Sequence, residues 1–87
     1  MYRVECDEQV QEQIDALPAE ALADFAELRT VLELAPWSGN SINADDADAP
    51  VRVAMFGPTG LGIITYLILD EQRRVELLQV AWLGLPG

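Results

Sequence analysis

The sequence predicts an α+β fold, a helical hairpin packed on a four-stranded, mostly antiparallel sheet in the order β-α-α-β-β-β. Three observations carry this. Three runs rich in β-branched and aromatic residues, Val51–Phe56, Leu61–Leu69 and Arg74–Leu83, are separated only by short turn-forming segments, which is the pattern of an antiparallel meander. Tyr2–Cys6 alternates apolar and polar residues, the two-residue period of a half-buried strand. Between these parts lie two stretches of helical period joined at Pro18, where proline ends one helix and fits the first turn of the next.

Taken in order, Tyr2, Val4 and Cys6 point to the core, and Arg3 and Glu5 point away from it. Asp7 stands where a helix N-cap is wanted, with Glu8 at the positive helix end. Val10, Ile14 and Leu17 follow as one narrow apolar stripe. The second helix is expected over Ala19–Leu34, with Ala21, Leu22, Phe25, Leu28, Leu32 and Ala35 as its apolar face. Residues 36–50 are a loop by composition and long for so small a domain, with Trp37 and Ile42 as pins and a disordered tip at 44–49. Gly57–Gly60 supplies a hairpin turn. Leu61–Leu69 is apolar nearly throughout, as expected of a central strand buried on both faces. In the last strand, Leu78, Val80 and Trp82 are assigned to one face and Val75, Leu77, Gln79 and Ala81 to the other.

Composition narrows the function classes. The chain of 87 residues is read as a single domain over residues 1–87, long enough for a modest core. It has no histidine and one cysteine, Cys6, which removes the commonest general base and any internal disulfide. The net charge of −10 resides entirely on residues 1–50, because residues 51–87 carry Asp70, Glu71 and Glu76 against Arg52, Arg73 and Arg74. So acidic a surface disfavours general binding to ribosome or messenger RNA and attracts a basic protein partner. Asp45, Asp46 and Asp48 lack the glycine and closing glutamate of a calcium loop, so no metal and no cofactor are expected. The start Met-Tyr-Arg-Val-Glu has no apolar run behind a basic end. The longest apolar run is about half a membrane span. A cytoplasmic protein with no membrane role is the expectation, and an unpaired sheet edge leaves a homodimer open.

The element order with its Leu17-Pro18 hinge resembles the RelE/ParE superfamily of toxin–antitoxin toxins. Specific pieces are similar: the opening Tyr2-Arg3-Val4, the segment Leu34-Ala35-Pro36-Trp37-Ser38-Gly39, and Val51-Arg52-Val53 beside the family's "YRVR"-like strand. Gly62-Ile63-Ile64-Thr65-Tyr66 resembles the "YRIIY"-like strand, and Val80-Ala81-Trp82-Leu83 the closing "VGHR"-like segment. The resemblance implies one of two activities, metal-independent cleavage of messenger RNA on the ribosome or inhibition of DNA gyrase in replication. It also implies neutralisation by a helical antitoxin. The family's basic positions fall here at Gly62, Trp82 and Leu83, so Arg52 is the remaining catalytic candidate, on the presumed active face.

Each candidate has two readings. Arg52 is either a phosphate clamp or an exposed strand residue paired across the sheet with Glu76 or Glu5. Arg73 and Arg74 contact a nucleic acid or an acidic antitoxin, or simply keep a hairpin turn soluble. Trp82 is a partner-binding anchor or a core residue. Tyr66 and Cys6 are assigned to the core. The alternative to a toxin is a non-catalytic, acidic protein-interaction module that kept the fold.

Overall fold

The longest apolar run forms the middle strand of a five-stranded sheet in the computed structural model, which describes residues 1–41, 48–57 and 60–84. The elements are β1 (Arg3–Cys6), α1 (Glu8–Asp15), α2 (Ala19–Leu34), β2 (Asn40–Ser41), β3 (Val51–Phe56), β4 (Gly62–Leu69) and β5 (Arg74–Trp82). Across the sheet the order is β1-β5-β4-β3-β2, and only the β1–β5 pair is parallel. The α+β class and the helical hairpin hold. The strand number does not: Asn40–Ser41, expected as loop, adds a short fifth strand opposite Val53 and Arg52. Ile42, Asp45, Asp46, the centre of the 57–60 turn and most of the 44–49 tip lie outside the described residues.

The helices form as their residues dictate. The Asp7 side chain accepts a hydrogen bond from the Val10 amide at 2.9 Å, satisfying one of the free donors at the start of α1. Pro18 sits in extended conformation at the head of α2, where its missing N–H costs nothing. Ala21, Phe25 and Leu32 are buried against the sheet, with Leu28 packed beside them. Leu22, assigned to the same face, is 43% exposed, because a step of about 100° from Ala21 turns it off the stripe.

One sheet face and the helical layer enclose the core. Val4, Phe56, Ile64, Tyr66, Ile68, Val75, Leu77 and Val80 are buried there. Within β4 the burial alternates strictly, so the strand expected to be covered on both sides is covered on one. In β5 the expected face assignment also fails. Thr65 pairs with Gln79 and Tyr66 with Leu77, leaving Leu78 as a bulge residue. A bulge inserts one residue and resets the alternation, so Val75 and Leu77 share the inner face with Val80 and Trp82. β1 ends opposite Leu77. Further along β5, the Val80 amide donates to the Gln13 side chain of α1 at 2.8 Å.

Candidate partner-binding surface

Period two gives β3 a choice between Val51, Val53 and Met55 or Arg52, Ala54 and Phe56 for the inner face. Phe56 goes inward, buried beside Phe25 with ring centroids 5.7 Å apart, and carries Arg52 with it. Arg52 is 8% exposed, on the helix-covered side opposite Tyr66. The reading of Arg52 as an exposed strand residue is thereby corrected. The guanidinium donates to the Gly39 carbonyl through Nε at 2.9 Å and Nη2 at 2.7 Å, and to the Ala49 carbonyl through Nη1 at 3.2 Å. It also lies 5.2 Å from the centre of the Trp37 ring, within cation–π range. These contacts tie both ends of the connection between α2 and β3 to the sheet. Glu76 and Glu5, the pairing partners expected for it, lie instead with Arg74.

The same region holds two further anchors. The Tyr66 hydroxyl donates to the Pro36 carbonyl at 2.6 Å, and burial raises its pKa, so the ring stays neutral as a core residue. Asp70 accepts from the Tyr2 hydroxyl and, at 3.2 Å, from the Trp37 indole. Those two hydrogen bonds hold its carboxyl below the ordinary carboxylate range. Trp37 is a pin, as expected, although 40% exposed.

The remaining candidates do not converge with Arg52 on one site. Arg73 takes the left-handed conformation at the end of the β4–β5 turn, 5.4 Å from the Tyr2 ring. Arg74 is on the outer face with Glu5 at 3.7 Å and Glu76 at 3.8 Å. Trp82 faces the helical layer and packs on Phe56 at 6.1 Å, while its indole nitrogen is buried with no hydrogen-bond partner among the described residues. Cys6 opens on a cleft of about 770 Å³ lined also by Gln11, Ile14, Phe25 and Arg29. Burial, then the nearby Asp7 and Glu76, raises its thiol pKa, which opposes nucleophilic chemistry.

What the chain presents on its uncovered sheet face is apolar surface. Register aligns Val51 with Leu67, Val53 with Thr65, and Met55 with Ile63 and Ala81. These side chains are partly exposed, Met55 to 64%. At the β1–β5 end the same face carries Arg3, Glu5, Arg74 and Glu76. Arg3 lies 3.9 Å from Glu5. Among the described residues, which include all five arginines, no other cation stands on this face. Sequence reading missed the surface, although Ile63, Leu67 and Leu69 signalled it by making three of the four outer positions of β4 apolar.

A helical hairpin on one face of a mixed sheet, with the other face open, defines the class to which solved structures can be compared. No family model and no curated sequence matches the chain. Its fold is that of the RelE toxins. The isolated Escherichia coli RelE toxin superposes with a TM-score of 0.78 at 11% identity, covering 100% of this chain and 89% of that one. In the intact E. coli RelBE toxin–antitoxin complex the match has a TM-score of 0.73 at 15% identity, over 98% and 100% of the two chains. The archaeal RelE–RelB complex from Pyrococcus horikoshii OT3 gives 0.68 at 20% identity, over 98% of each. No helix of the described residues is long and apolar enough to cross a membrane.

Proposed function

We propose that this chain, as a single cytoplasmic domain over residues 1–87, is the toxin-like member of a toxin–antitoxin pair and works by binding protein. The observation that carries this reading is the position of Arg52. In-line cleavage of RNA needs a cation free to meet the phosphate, and this guanidinium is buried against the Gly39 and Ala49 carbonyls. Arg74 is held between two carboxylates. Two of the RelE structures this fold resembles are complexes with an antitoxin, which supports a partner of that kind here. The acidic helical layer, with Glu20, Asp24 and Glu27 along α2, favours a basic partner and salt-sensitive association. Trp82 remains a candidate for contact with it, whereas Arg73 and Arg74 would meet only acidic groups of a partner.

The test is cell-free translation with purified protein, mapping the ends of ribosome-bound message. Intact message is expected, together with capture of a basic partner that weakens as salt rises. Message cleavage that disappears in Arg52→Ala, with that variant still folded, would return the chain to the nuclease reading.

A further inference from the structure

We propose that the outer face of the sheet is the interface of a symmetric dimer of this chain. The argument begins with β4, whose outer positions Ile63, Leu67 and Leu69 are apolar yet uncovered by any described element. Contiguous apolar surface of this kind marks an interaction site. Three properties of the face select a second copy as its occupant.

The first is charge. The whole excess of −10 lies on residues 1–50, and the β3–β5 segment is neutral. A basic partner is drawn to the acidic helices and finds no attraction on this face. Two copies meeting through it place their sheets about 10 Å apart, with each helical layer roughly 10 Å further out. The acidic helices of the two copies then stand about 30 Å apart, several Debye lengths at physiological salt.

The second is self-complementarity, which a two-fold interface demands of one and the same patch. The polar end of the face carries two arginines and two glutamates, Arg3, Arg74, Glu5 and Glu76. Their ion pairs are loose, at 3.7 to 3.9 Å. Arg74 Nε is buried with no hydrogen-bond acceptor among the described residues. Arg3, its side chain 71% exposed, is the cation of this face that a glutamate of the second copy can reach, and the exchange is reciprocal.

The third is area. Five strands about 4.8 Å apart, the central one 8 residues long, offer a face on the order of 500 Å². A pair therefore buries about 1,000 Å², the lower end of specific interfaces. An interface at that lower end suits a reversible dimer.

Sedimentation velocity over a dilution series, with far-UV circular dichroism as the fold control, tests this. The wild type is expected to shift from dimer to monomer on dilution. The shift should be little affected by salt, unlike the partner binding proposed above. Thr65→Arg, at the centre of the face, sets two guanidinium groups against each other across the axis and should weaken association about 100-fold or more. Should that variant lose its fold, Gln79→Arg, on the exposed residue paired with Thr65, replaces it. Leu22→Arg, on the helical side, should leave the dimer intact. A wild type that stays monomeric to roughly 200 µM overturns the proposal, as does a dimer lost in Leu22→Arg and kept in the sheet-face variants.

Discussion

The Arg52 guanidinium donates twice to the Gly39 carbonyl, at 2.9 Å and 2.7 Å. A charged donor held so deeply is a structural clamp, since hydrogen bonds to charged groups contribute about 1.5–3 kcal/mol each and leaving a carbonyl unmet adds to the loss. Arg52→Ala is expected to lower stability by roughly 3 kcal/mol in urea titration. Arg52→Lys should recover only part of it, because an ammonium cannot reproduce the fork that reaches Gly39 and Ala49 together.

Gly39 is constrained from its other side. A side chain there would run into the Tyr66 hydroxyl and the Val53 carbonyl. Gly39→Ala should therefore force the connection away from the sheet and cost about 1–3 kcal/mol. Tyr66→Phe loses the bond to Pro36 and the hydroxyl's hydrogen bonds with Gly39 and Arg52, at about 1–3 kcal/mol. In the double variant Gly39→Ala/Tyr66→Phe, the two costs should sum to more than is measured, because removing the hydroxyl relieves the clash.

Acid should act through Asp70. Its hydrogen bonds from Tyr2 and Trp37 depress the carboxyl pKa in the folded chain. A folded pKa below the unfolded value of about 3.9 means stabilisation that is complete above that pH. It is lost as pH falls through the folded pKa. Thermal unfolding followed from pH 7 down to 2 should show Asp70→Asn less stable than wild type at neutral pH, with the gap closing in acid.

The bulge at Leu78 yields a contrast between truncating a side chain and removing a residue. Leu78 is 45% exposed, and Leu78→Ala should change stability by no more than about 0.5 kcal/mol. Deleting Leu78 removes the extra residue and returns β5 to strict alternation, with Val75, Leu77, Val80 and Trp82 still on the inner face. Cooperative unfolding should therefore be kept, seen as a single sharp calorimetric transition, with only the local twist of the bulge lost.

Where local chemistry sufficed, sequence reading placed the elements closely. The Asp7 cap, the Pro18 junction and the Ala19–Leu34 helix all appear at the expected positions. It failed where a tertiary partner decides. Nothing in Val-Glu-Leu-Leu-Gln-Val reveals which leucine is the bulge, since Leu77 and Leu78 are chemically identical. Arg52 was read as exposed because arginine usually is. The carbonyls that accept its protons come from Gly39 and Ala49, at opposite ends of a connection with no periodic pattern. β2 was illegible for the same reason. Two residues have no period, and Asn40–Ser41 are poor strand formers held beside β3 by that clamp. The buried side of β4 was correct, and its open side was not, because an apolar strand reads the same whether its second cover belongs to its own chain or to another.

The parallel pairing of β1 with β5 bears on synthesis. Val4 meets Val75 only after roughly seventy further residues have been made, several seconds at about 5–20 residues per second. Throughout that interval β1 has no strand to join, and α1 lacks the β5 surface on which it rests. A nascent chain interrupted before Arg74 therefore lacks the strand that joins β1 to the rest of the sheet. Such a fragment leaves the apolar edge of β4 and the β5-facing side of α1 uncovered until β5 is made.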